Sequence, residues 1–158
     1  MKNILPIIFI CFAISSCNDK IVDNSITYDS SITPIIFYGE TSLRSLSSDE
    51  ISIQKIEIIN DVLVIDATYP GGSEVSSTAL FSESGFLESS PVQVPMRLVH
   101  HSFSDTCTKI ISEKFYFDLK PLATLYKSGY RTDKGVILLS IYDSDSTKYY
   151  LPQPKYIF

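Results

Sequence analysis

Two apolar-rich runs, residues 54–59 and 62–69, are separated only by Asn60 and Asp61, and this spacing constrains the fold more than any other feature of the chain. Both joining residues tolerate the positive φ of a tight primed turn, so the pair predicts a β-hairpin. Composition extends the argument. Only three alanines follow position 17, while Ile, Val, Thr, Tyr and Phe abound, a bias toward strands and away from helices. Further strand-like runs at 35–38, 77–82, 92–100, 108–119, 135–142 and 147–151 recur at the spacing of a sandwich or barrel. The expected fold is an all-β, antiparallel β-sandwich, immunoglobulin-like or similar, with about seven to eight strands. Only 121–127 has helical character, enough for one or two turns. The last two runs read as a second hairpin around residues 143–146, and Pro152 and Pro154 put the C-terminal strand at an edge.

Alternation then assigns faces. Val92, Val94, Met96, Leu98 and His100 share one side of their run, and Gln93, Arg97 and His101 share the other. His100 therefore continues the apolar face, and His101 meets solvent. Phe115 and Phe117 point to the core, opposite Lys114, Tyr116 and Asp118. Gly71-Gly72 lacks the Lys and Ser/Thr that complete a phosphate loop, and reads as a turn needing positive φ.

Charge removes whole classes of partner. Thirteen Lys and Arg stand against 18 Asp and Glu, a net charge of −5, and nucleic-acid binding needs the opposite balance. An apolar content of 44% is too high for a disordered chain.

The N-terminus carries an address. Lys2 precedes an eleven-residue apolar run, 4–14, and small residues lead to Cys17. A membrane-spanning helix needs roughly 20 apolar residues, so this run has the length of a signal-peptide core. The segment Ile14-Ser15-Ser16-Cys17 resembles the lipobox of bacterial lipoproteins. That resemblance implies a diacylglyceryl group on the Cys17 thiol, removal of the peptide before it, and acylation of the new amino terminus by a chain such as palmitate. Two or three acyl chains hold a protein far more firmly than one. The expected organisation is a signal peptide over 1–16, a lipidated cysteine and flexible tether over 17–33, and a single sandwich domain over 34–158. The mature 142 residues would carry a charge of −6 and bury roughly 68 to 70% of their unfolded surface. Asn18, where an Asp would hold some lipoproteins at the inner membrane, favours the outer membrane. The expected partners are the membrane, through lipid, and an envelope protein or glycan.

Cysteine use follows from the same cut. Cys11 leaves with the signal peptide and Cys17 carries lipid, so Cys107 has no partner for an intrachain disulfide.

His100 and Cys107 are the candidate metal-ligating pair. If 92–100 and 108–119 form a hairpin, both side chains fall at the base of its loop, where imidazole and thiolate could share a zinc ion; two ligands are too few for a structural site. The stretches Tyr69-Pro70-Gly71-Gly72-Ser73 to Ser76, Leu98-Val99-His100, Asp105-Thr106-Cys107 and Phe117-Asp118-Leu119-Lys120-Pro121-Leu122 resemble a family of uncharacterised bacterial envelope lipoproteins, over about 56–142. In that family the Gly-Gly pair precedes Cys-x-x-His, and a later His and Cys complete what looks like a metal-ligand set. Here His100 and Cys107 match the later half, while Ser73 and Ser76 occupy the earlier half. Serine hydroxyls are poor zinc ligands, so the resemblance implies at most a remnant zinc site. The other reading is a hydrogen-bonded core histidine and a small buried cysteine.

Other constellations are weaker. A thiolate–imidazolium pair of Cys107 and His100 has no glycine-rich elbow, helix N-terminus or oxyanion hole beside it. Asp143 and Asp145 have calcium-loop spacing, but no glycine follows at the sixth position and Pro154 stands at the twelfth. Tyr149, Tyr150, Tyr156 and Phe158 could present a binding surface or pack a terminal strand. The sequence therefore reads as a lipid-anchored cell-envelope binding or structural module, with no catalytic residues and no cofactor. The alternative is a zinc-binding envelope lipoprotein using His100 and Cys107.

Overall fold

The computed structural model describes residues 32–39, 42–72, 75–103 and 108–158. Strand β3 (Ser52–Ile59) turns through Asn60 and Asp61 into β4 (Val62–Pro70), with Ile59 opposite Val62 and Asn60 at φ 56°. The expected hairpin is thus present, and it starts one sheet. Strand β7 (Ile110–Asp118) lies antiparallel along the other edge of β4, from Val62 opposite Asp118 to Pro70 opposite Ile110. Strand β1 (Thr33–Pro34) runs parallel to the end of β7, giving the order β1-β7-β4-β3.

The second sheet has the order β2-β5-β6-β8-β9. Its strands are β2 (Ile36–Tyr38), β5 (Ser77–Glu83), β6 (Val92–His101), β8 (Val136–Tyr142) and β9 (Lys155–Ile157). Three neighbouring pairs, β1 with β7, β2 with β5 and β6 with β8, are parallel, so both sheets are mixed. Together they form an all-β sandwich. Leu63, Ile65, Ala67 and Phe117 from one sheet meet Val94, Met96, Leu98, Ile137, Leu139 and Ile141 from the other, and all are buried. Val94, Met96, Leu98 and Phe117 are inward positions that alternation assigns. Each such side chain contributes about 1.5–3 kcal/mol by leaving water.

Two expected pairings differ. Residues 92–100 and 108–119 do not form a hairpin, because β6 lies in the five-stranded sheet and β7 in the four-stranded one. The connection between them is long enough to change sheets, and β7 fills its ladder with all nine residues of β4. The C-terminal return is also displaced. Residues 147–151 touch β8 only where Tyr149 bridges Tyr142 and the Tyr150 N–H reaches the Ile141 carbonyl at 2.8 Å. Pro152 and Pro154 lack an N–H for the ladder, which resumes as β9 at the sheet edge.

Helix α1 (Lys120–Tyr130) spans three turns, longer than expected. Asp118 accepts the Lys120 N–H at 3.0 Å, Pro121 occupies the first turn, where its missing N–H costs nothing, and Arg131 closes the helix at φ 53°. Buried Leu122 and Ala123 hold it across one end of the sandwich. The Asn60-Asp61 turn lies at that end too, tied by a hydrogen bond of 2.8 Å from the Tyr156 hydroxyl to Asp61. The opposite end is made of loops: Gly71 N–H reaches the Lys109 carbonyl, and Ser77 pairs with His101.

Among the described strands the chain also changes sheet from β1 to β2, β2 to β3, β4 to β5 and β7 to β8. Buried Ile35 separates β1 from β2, and residues 46–51 run from the 3-10 turn Leu43–Ser45 to β3. That turn covers the outer face of β6, where Arg97 is only 4% exposed and its Nη1 donates to the Leu43 and Arg44 carbonyls at 3.0 and 2.8 Å. Among the described residues no helix is long and apolar enough to cross a membrane.

Candidate functional site

His100 lies at the loop end, where β6 runs out, and is 1% exposed. Its neighbour across the ladder is Thr78, whose hydroxyl stands 2.8 Å from Nδ1. The imidazole packs at 4.1 Å against the ring of Tyr69, which comes from the other sheet. Tyr69 in turn donates its hydroxyl proton to Glu113 on β7 and is hydrogen-bonded by Ser76. Residues 48–49 complete the enclosure: the His100 N–H donates to Ser48 Oγ at 3.1 Å, and the His100 carbonyl accepts from the Asp49 N–H at 2.8 Å. The Asp49 carboxylate is held by the Ser102 N–H and hydroxyl, at 2.8 and 2.9 Å.

One atom of this cluster is left over. Nε2 of His100 is buried and has no hydrogen-bond partner among the described residues. Burial pushes the imidazole pKa below its ordinary value of 6.5, against the opposing pull of Asp49 and Glu113, so the ring is neutral at pH 7. Burial, followed by the bond to Glu113, pushes Tyr69 up to about 12. The Ser102 backbone N–H, with its hydroxyl, holds Asp49 below the usual carboxylate range. The cluster is therefore a neutral imidazole and a neutral phenol wedged between sheets, with carboxylates at its rim.

His100 points inward, where alternation places it. His101 is half-buried, its ring 6.3 Å from Phe103. Cys17, Ser73 and Cys107 lie outside the described residues. Among those described, no three His, Cys, Asp or Glu side chains converge as a metal-ligand group. Ser76, placed by resemblance at an earlier ligand position, instead engages the Tyr69 hydroxyl. Asp143 and Asp145 build turns, accepting N–H groups from Ile53 and Asp145, and from Thr147, respectively. Of the C-terminal aromatics, Tyr156 is core and Phe158 packs on Tyr126 of α1. Sequence reasoning missed Tyr69, Thr78 and Glu113 as partners of His100. The inward parity of Tyr69, shared with Leu63, Ile65 and Ala67, was the available signal.

Around this buried cluster the loop end shows apolar side chains to solvent. Val75 is 78%, Phe103 62% and Ile110 64% exposed.

No protein-family model matches the chain, and no curated protein matches it. Solved structures do. A NigD-like immunity protein from Bacteroides caccae aligns at a TM-score of 0.59 and 17% identity, over 80% of this chain and 64% of that one. A toxin-related protein from Parabacteroides distasonis aligns at 0.54 and 18%, over 79% and 60%. A protein of unknown function, DUF1344, from Bacteroides vulgatus aligns at 0.47 and 12%, over 80% and 56%. For the first two the likeness is one of fold, and this chain spans 56 to 64% of the length of these three proteins.

Proposed function

We propose that the protein is a lipid-anchored module of the bacterial cell envelope that binds a protein or glycan partner. The observation that carries this reading is Ile14-Ser15-Ser16-Cys17, a lipobox-like tetrapeptide placed directly after an apolar run too short to span a bilayer. Residues 1–16 are then the signal peptide, Cys17 the lipidated residue, and the residues from there up to strand β1 (Thr33–Pro34) the tether to the domain. Asn18 after the cysteine supports the outer membrane. Binding is assigned to the loop end, because loops on a rigid sandwich are where such folds place recognition, and because Val75, Phe103 and Ile110 are exposed there. The immunity role in the name of the Bacteroides caccae neighbour, carried over as part of this proposal, is compatible with a protein partner.

Cys17→Ser tests the anchor. The variant should leave the membrane fraction or remain uncleaved, and unchanged fractionation and mass would refute lipidation. Crosslinking in cells, with Phe103→Ala as a control, should capture a partner whose yield falls in the variant.

A second reading rests on His100. A buried Nε2 without a partner, on a ring whose Nδ1 is fixed by Thr78, is how a metal-binding imidazole is commonly prepared. In that reading His100 and Cys107 hold zinc. Stoichiometric zinc in the purified protein, with a chelator lowering its melting temperature, would establish it; metal-free protein with an unchanged melting curve rules it out.

A further inference from the structure

Helix α1 carries charge of the opposite sign to the chain. Lys120, Thr124, Lys127 and Arg131 recur at the spacing that puts side chains on one helical face, and all four are exposed. Lys134 follows after Thr132 and the exposed Asp133. No Asp or Glu occurs between 119 and 132. Lys55 is paired with Glu57 and Lys114 with Asp66, at 2.7 and 3.4 Å; Lys120, Lys127, Arg131 and Lys134 form no ion pair with another described residue, and Lys127 Nζ stands 5.6 Å from the centre of the Phe158 ring. Three carboxylates share this end, the half-buried Asp61 and Asp118, which accept the Tyr156 hydroxyl and the Lys120 N–H, and the exposed Asp133, against the four cations Lys120, Lys127, Arg131 and Lys134.

The position of this face is as telling as its charge. Ile32, where the described chain begins, lines one shallow cavity together with Pro34, Asp118 and Lys120. The segment leading back to Cys17 therefore joins the domain beside the first residue of α1. Fourteen residues separate Cys17 from Ile32, and fully extended they span about 50 Å. Exposed apolar side chains flank the basic face, with Ile32 53%, Tyr130 48% and Ile157 69% exposed. Cations bordered by isolated apolar and tyrosine side chains suit the boundary between headgroups and acyl chains.

We infer that the basic face of α1, Lys120–Lys127–Arg131 with Lys134, docks on anionic phospholipid headgroups, so that the helix end faces the bilayer and the His100 loop end faces away. This orientation rests on the anchored reading above, while the headgroup contact is a property of the helix alone.

The test separates them. The full chain carrying Cys17→Ser, which cannot be lipidated, is cosedimented with vesicles of phosphatidylcholine alone and with vesicles that also contain phosphatidylglycerol. Preferential binding to the anionic vesicles, falling as salt is raised, is expected. Each cation near an anionic surface is worth about fivefold in affinity, so Lys120→Glu, Lys127→Glu and Arg131→Glu together should weaken that binding about a hundredfold or more. These positions are exposed, and an unchanged circular dichroism melt confirms that the variant is folded. Charge-independent binding by the apolar N-terminal run is common to both chains and cancels. Equal binding to both vesicle types, salt-insensitive binding, or an unaltered affinity in the reversed variant would each overturn the inference. Failure of lipidation is read separately, from fractionation of the Cys17→Ser chain in cells.

Discussion

At the scale of residues, His100 shows how a polar group can be placed in a core without a charge. Thr78 satisfies Nδ1, Tyr69 covers the ring face and Nε2 is left without a described partner. The energetic consequence is a pH dependence with a definite sign. Because burial depresses the folded-state pKa below 6.5, the unfolded chain takes up a proton that the folded chain refuses. Stability is therefore complete above about pH 6.5 and falls as pH drops through that value, levelling only below the folded pKa. Each unit of separation between the two values is worth about 1.4 kcal/mol. Asp49, held below 3.8 by Ser102, responds only at lower pH, and because His101 is also an imidazole, comparison with a variant lacking the His100 ring isolates its contribution over the interval from 6.5 to 5. Melting temperatures recorded across that interval should fall for the native chain and stay nearly flat for His100→Gln. Equal slopes in the two proteins would show that His100 is not the group being titrated.

Arg97 carries the corresponding argument at the scale of elements. Its guanidinium holds the 3-10 turn Leu43–Ser45 against β6 through two backbone carbonyls, and its Nε is buried without a described partner. Hydrogen bonds from a charged group are worth about 1.5–3 kcal/mol each, but desolvating the cation opposes them. Arg97→Ala should cost about 2–3 kcal/mol in urea unfolding, with faster amide exchange at Leu46, whose N–H caps that turn. A loss below about 0.5 kcal/mol would mean that the turn stays in place without the guanidinium. The sequence made the inward faces legible, because alternation along β4 and β6 depends only on the pleat and on apolar content. The Asn60-Asp61 hairpin was equally legible, being closed by two residues. What it could not disclose was which non-adjacent strands pair. A parallel neighbour such as β8 beside β6 is fixed by packing between distant segments, and neither strand records it. Arg97 shows the same limit: parity put it on the outer face, but only the turn at residues 43–45, distant in the chain, buries it. The site was legible to the extent of His100, whereas Tyr69 and Glu113 reach it from the other sheet.

The whole molecule is held together by segments that belong to both sheets. Ile35 links β1 to β2, residues 46–51 hydrogen-bond to His100 before becoming β3, and the Tyr156 hydroxyl of the five-stranded sheet binds Asp61 in the β3–β4 turn. Neither sheet can leave without pulling Ile35 out of the core, breaking the hydrogen bonds at His100 and Asp61, and exposing the inner faces of both. The domain should therefore unfold as one unit despite its layered build. Leu98, fully buried in the core cluster, gives the sharpest check. Leu98→Ala removes three carbon atoms from the common core and should cost about 2–5 kcal/mol. The urea transition should then move to lower concentration with its slope unchanged, since the same surface is exposed on unfolding. Far-ultraviolet circular dichroism reports the strands, and tyrosine emission reports the packing in a chain without tryptophan. The two signals should coincide in native and variant protein alike. A variant whose tyrosine signal changes well before its strands are lost would mean that the sheets separate first, and that the crossing segments do not couple them.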